Sequence, residues 1–120
     1  LNRIVIIGRL TADPEARQAG GVNFSKFSVA VDRGFGDNKQ TDFFDVIAWR
    51  KLGEVVANNL SKGRQVAISG SMHSNLWRDN EGNNRKSWEV VANEVIFLDA
   101  PSGGNKSQET LNDYDDEFPF

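Results

Sequence analysis

The apolar residues of this chain recur with a period of two along most of its length, and that period is broken once. "RIVIIGRL", "FSKFSVAVDR", "DFFDVIAW", "RQVAISGSMHSNLW" and "RKSWEVVANEVIFL" read as strands, each bounded by Gly, Pro, Asn or Asp signals. Only "KLGEVVANNLSKG" departs, with Leu52, Val55, Val56 and Leu60 at helical spacing and Gly63 placed as the C′ residue that ends the helix. Side chains on a strand alternate between faces, so the pattern also says which residues face a core. In the third strand Phe44, Val46 and Ala48 share one side, and Phe43, Asp45, Ile47 and Trp49 the other.

Five strands with a lone helix between the third and fourth predict an all-β fold, the five-stranded Greek-key barrel of the OB type. The stretch "TADPEARQAGG", marked by Pro14 and Gly20-Gly21, reads as a loop, and Phe24 falls off the alternation of Phe27, Val29 and Val31, which predicts a bulge or a strand start. The polar turn "RDNEGNN" joins the last two strands into a hairpin long enough to project beyond the core. After Asp99 the periodicity is lost. The reading is a barrel domain over residues 1–99, a flexible linker over 100–112 and a disordered acidic tip over 113–120.

A chain of 120 residues suits one domain that buries roughly two thirds of its unfolded surface. Without cysteine, disulfides and thiolate metal sites are excluded, and with no apolar run near membrane-spanning length a reducing cytoplasm fits best. The net charge of −3 is unevenly spread. Residues 1–99 hold 13 basic against 12 acidic side chains, whereas 100–120 hold one against five, so the acidity belongs to the tail.

Catalysis is poorly provided for: the chain has a single histidine, no cysteine, no phosphate-binding glycine loop, and no nucleophile with a base at family-like spacing. "DNEGNN" has Gly82 fourth from Asp79, not sixth as a calcium loop requires, and reads as a hairpin turn. His73 has no second His or Cys nearby to share a metal. No cofactor or metal is expected.

The aromatic residues carry more information, because unpaired nucleic acid is gripped by stacking bases on ring faces. Phe43 and Trp49 lie six residues apart on the face opposite the core. At the usual rise that is about 20 Å, room for a few bases, with an oligomer interface or cover for the helix as the competing use. Phe35 sits in "DRGFGDNKQTD", where a large ring has no obvious core to enter, and Trp77 has the parity of Ser71, His73 and Asn75, away from Val66 and Ile68. Trp88 shares parity with Val90 and Ala92, so packing across the hairpin competes with stacking and the residue is left unassigned. Arg33, Arg50, Lys51, Lys62, Arg64, Arg78 and Arg85, with Lys86, interleave charge with these rings as a phosphate-tracking groove requires. With so little net charge in the barrel, stacking must carry more of the affinity.

"NRIVIIGRLTADPEAR", "TDFFDVIAWRKLGEVVANNLSKGRQVAISG" and the terminal "DDEFPF" together resemble the bacterial single-stranded DNA-binding proteins of replication, a family with phage-carried relatives. The resemblance runs from Asn2 to about Asp99 and resumes at the tip. It implies stacking by Phe35, Phe43, Trp49 and Trp77, basic contacts at Lys51 and Lys62, a homotetramer that presents one DNA path, and a nucleoid-associated cytoplasmic protein of replication, recombination and repair. Against the more basic relatives, His73, Asn75 and Leu76 in the fourth strand and Asp45 on the outward face weaken the expected phosphate contacts.

At the tip, Phe118 and Phe120 are expected to enter an apolar pocket of a partner protein while Asp115, Asp116 and Glu117 meet a basic rim and Pro119 restrains the backbone. A solubilising tail would need the charge but neither phenylalanine. The resemblance implies that the partners are replication, recombination and repair proteins. The same acidic segment can compete with DNA for the basic groove at low salt. An OB-type interaction subunit of the primosome or of translation, binding protein or structured RNA, is the alternative, and a carboxylate nuclease the enzymatic rival.

Overall fold

The structure is a computed structural model that describes residues 1–99 and the backbone of residues 110–112. Strands β1 (Ile4–Leu10), β2 (Glu15–Ala19), β3 (Val22–Arg33) and β4 (Gln40–Trp49) precede helix α1 (Arg50–Asn59), which is followed by β5 (Gln65–Arg78), β6 (Asn84–Phe97) and the short β7 (Thr110–Asn112). The sheet order is β1-β5-β6-β4-β3-β2, and β1 also meets β3 at Arg9–Ala30 and Leu10–Val29, which closes the barrel. The five long strands and the helix between the third and fourth of them are those read from the sequence.

Inside the barrel, Leu10, Val29, Val46, Val66, Ile68, Val90 and Val95 are buried, the inward positions of their alternating strands. Helix α1 closes one end by inserting Leu52 and Val56, and Leu60, the residue that caps it, is buried in the same cluster. Its approach is close: a Cβ on Gly53 would lie 2.4 Å from the Ala48 carbonyl oxygen, and the buried Ser25 hydroxyl donates to the Gly53 carbonyl at 2.7 Å. The helix ends at Asn59, earlier than Gly63 implied, because Leu60 turns extended and sinks into the core. Gly63 instead serves the turn into β5, donating its N–H to the Leu10 carbonyl at 2.9 Å.

Two further local readings are corrected. The loop after β1 contains β2, which pairs with β3 from Glu15–Lys26 to Ala19–Val22 around the Gly20-Gly21 turn. All of β2 is exposed, so no burial alternation marks it in the sequence. Phe24 lies in regular register inside β3 and faces outward. The irregularity falls in β6, where Ser69 pairs with Glu94 but Gly70 with Ala92, leaving Asn93 as the extra residue. That residue reverses the parity of β6: Val90 and Ala92 face the core before it, Val95 and Phe97 after it.

Beyond Met72 and Val90 the β5–β6 hairpin leaves the core and becomes an exposed arm. Its turn is held by Asp79, whose carboxylate accepts from the N–H groups of Glu81 (3.0 Å) and Asn83 (2.9 Å) and from Arg85 Nε (2.8 Å). Those bonds, the Asn83 backbone foremost and then Arg85, hold the Asp79 carboxyl below its ordinary range. A hairpin turn, not an ion loop, is the role of "DNEGNN".

Candidate nucleic-acid interface

Register places the outward residues of four strands on one continuous surface. Across β3 and β4, Phe24 lies opposite Trp49, Lys26 opposite Ile47, Ser28 opposite Asp45 and Ala30 opposite Phe43. The surface continues through Ile47–Val91 into β6 and from there, through Ser71–Val91, His73–Glu89, Asn75–Ser87 and Trp77–Arg85, along the arm. The β3–β4 connection contributes Phe35, whose ring is thrown outward between Gly34 and Gly36, both in the left-handed region with φ of 92° and 55°.

Phe35 is 91 % exposed, Phe43 67 %, Trp77 50 % and Trp49 37 %. All four rings therefore present area to water, and Phe43, Trp49 and Trp77 do so from the same face of the sheet. Trp49 is the most supported, its ring centroid 4.7 Å from that of Phe24 at an interplanar angle of 40°. Phe24 is a member of this surface that sequence reasoning missed, since its position under Trp49 depends on β3–β4 register and not on its own strand's pattern. Ile47 shares the outward parity yet is buried, filling the face between the rings.

The cations divide into engaged and unengaged groups. Arg33 Nε lies 2.7 Å from Asp42, Lys39 3.3 Å from Asp32, Lys26 4.0 Å from Glu89 and Arg85 2.8 Å from Asp79. Arg64 is a structural clamp: its side chain is 15 % exposed, Nε meets Asp99 Oδ1 at 2.9 Å, and its Nη atoms donate to the Asp99 and Asn59 carbonyls. It lies with Lys62 in the turn between α1 and β5, where the Lys62 N–H donates to Asp13 Oδ1 at 2.9 Å and the Leu10 N–H donates to the Arg64 carbonyl at 3.0 Å. Among the described residues Arg50, Lys51, Lys62 and Arg78 form no ion pair and are exposed. Arg50, directly after Trp49, also holds a left-handed backbone, φ 58°, in a residue that is not glycine. Asp45 is exposed between Phe43 and Ile47, so the face carries rings in quantity and free positive charge sparingly.

His73 accepts or donates a 2.9 Å bond with Ser71 Oγ, and among the described residues no three His, Asp or Glu side chains converge as metal ligands. Asp115, Asp116, Glu117, Phe118, Pro119 and Phe120 lie outside the described residues.

Comparison with known proteins agrees with this arrangement. The model of the "Single-strand binding protein family" matches residues 1–98. The chain is 40 % identical to the "Single-stranded DNA-binding protein" of Caldanaerobacter subterraneus subsp. tengcongensis, over 98 % of this chain and 83 % of that one. It is 37 % identical to the "Single-stranded DNA-binding protein 2" of Listeria monocytogenes, over 100 % and 77 %. Among solved structures it superimposes on the "Plasmodium falciparum SSB complex with ssDNA" with a TM-score of 0.74 and 27 % identity, covering 82 % of this chain and 96 % of the other. An OB-type barrel with an exposed aromatic face, matched by the family model over nearly all its described length, establishes that this chain belongs to the single-strand binding protein family.

Proposed function

We propose that this protein binds single-stranded DNA without catalysis and with little sequence preference, stacking bases on Phe35, Phe43, Trp49 and Trp77. The observation that carries the reading is the exposure of four large rings around one sheet face, an arrangement that costs solubility and is offset when bases cover them. Each stacked base contributes about 1–3 kcal/mol, which suits a face where few cations are unpaired. Arg50 and Lys51, with Lys62 in the turn after α1, supply phosphate contacts, whereas Arg78, paired with Asn84, points to the side of the arm opposite Trp77. Arg33 and Arg85 join them only by exchanging an aspartate for a phosphate, and Arg64 stays in its clamp. The names of the relatives and the DNA in the solved neighbour support the same ligand.

The biological reading is a homotetramer that coats single strands during replication, recombination and repair and recruits partner proteins through the tip residues Asp115, Asp116, Glu117, Phe118, Pro119 and Phe120. Its support is family membership together with a tail that combines acidity with two phenylalanines. A fluorescence titration tests the binding step: oligo-dT should quench tryptophan emission strongly and duplex DNA should not. Equal quenching by both, or by neither, would refute it.

A further inference from the structure

The arm has a second face. Directly paired residues on antiparallel strands share a face, so the pairs Ser74–Trp88, Leu76–Lys86 and Arg78–Asn84 set these six side chains together, opposite Trp77 and Arg85. Trp88 is 53 % exposed and Leu76 73 %, and among the described residues no core lies beneath this part of the hairpin to receive them. Lys86 Nζ stands 5.8 Å from the centre of the Trp88 ring. Among the described residues this face holds two cations, Lys86 and Arg78, and no carboxylate, and neither cation forms an ion pair. The Trp77 face differs: its Arg85 is bound to Asp79, and Glu89 lies on it.

We propose that single-stranded DNA also binds this second face, a base stacking on Trp88 and the flanking phosphates meeting Lys86 and Arg78. The assignment rests on the single-strand reading above and extends it to a residue that shares the core-facing parity of Val90 and Ala92 but lies on the arm, beyond the reach of the core. Charge selects the occupant. An acidic, π-faced polymer matches a ring flanked by unpaired cations, whereas an apolar partner surface would bury both charges without compensation. The arm then grips nucleic acid from both sides, Trp77 on one and Trp88 on the other.

The chain has three tryptophans, so Trp49→Phe/Trp77→Phe keeps ring faces at those positions and leaves Trp88 as the sole indole. Titration of this variant with fluorescently labelled oligo-dT reads anisotropy for binding and Trp88 emission for contact. Strong quenching with the same midpoint as the anisotropy rise is expected. A rise in anisotropy with unchanged emission overturns the Trp88 assignment alone, while an absence of any rise with the wild-type protein overturns the parent reading as well. Emission that follows protein concentration and not DNA would show a protein contact and also overturn it. In parallel, Trp88→Leu should weaken oligo-dT binding about fivefold or more and Trp88→Phe much less. Arg78→Gln/Lys86→Gln should lower the slope of log affinity against log salt by about 1.4, as two single-strand phosphate contacts require. Equal affinities for the Leu and Phe variants with an unaltered slope would count against the proposal.

Discussion

Phe24 and Trp49 face each other across β3 and β4, their rings 4.7 Å apart and tilted by 40°, so that one indole of the exposed face rests on a second ring and not on solvent. The pair fixes Trp49 at the point where the strand ends and α1 begins. A ring held in place loses less freedom when a base stacks upon it.

Phe24→Ala should therefore weaken oligo-dT binding although Phe24 need not touch the base. An aromatic pair of this kind is worth about 0.5–1.5 kcal/mol, which corresponds to roughly a two- to thirteenfold loss. Affinity from anisotropy, with circular dichroism to verify the fold, decides the point.

Gly53→Ala should destabilise the barrel, because the added Cβ would lie 2.4 Å from the Ala48 carbonyl and 3.0 Å from the Ser25 amide nitrogen, both backbone atoms that cannot swing away. A loss of about 1–3 kcal/mol is expected in urea unfolding. Ser25→Ala, which removes only the hydroxyl bonded to Gly53, should cost about 1 kcal/mol.

Asp99 makes stability depend on pH. Partial burial pushes its carboxyl up, but the Arg64 hydrogen bond, the Gln65 N–H and the charges of Arg64 and Arg9 outweigh that, and the net shift is downward. A carboxyl depressed in the folded state contributes stability above its unfolded value, and that contribution fades as pH falls through the folded one. Asp99→Asn should accordingly be less stable than wild type at neutral pH, with the gap closing under acid. Paired melting curves from pH 7 to pH 2 that stay parallel would disprove this.

Salt should weaken DNA binding less steeply than in a more basic relative. Arg33, Arg64 and Arg85 are held by aspartates, and Asp45 stands on the ring-bearing face. Each phosphate contact adds about 0.7 to the slope of log affinity against log salt for single strands, so fewer free cations mean a shallower line. Side-by-side titrations provide the comparison.

Removal of residues 113–120 should tighten oligo-dT binding at low salt, with the difference vanishing as salt rises. The tip carries four of the five acidic side chains that follow Asp99, and screening beyond about 10 Å at 0.1 M salt abolishes its competition for the unpaired cations. Identical affinities at low ionic strength would exclude the competition.

Much of this was legible in the text of the chain. Phe43, Asp45 and Trp49 face outward as period two demands, and the helix that closes the barrel is announced by Leu52, Val56 and Leu60. Less visible were β2, whose five residues are all exposed and so leave no burial pattern, and the helix end, where burial of Leu60 overrides the glycine signal. Charge was read least well, since a sequence shows that Arg64 is basic but not that Asp99 lies 2.9 Å from it.

The division has a physical cause. Alternation and helical spacing are properties of local backbone stereochemistry, so the sequence alone determined which side chains turn inward, which outward, and to which family the chain is similar. Register between strands remote in sequence is set by barrel closure and by the extra residue at Asn93. Only the tertiary structure could therefore decide that Phe24 supports Trp49, that Arg33, Arg64 and Arg85 are held by aspartates, and that Trp88 faces solvent on the far side of the arm.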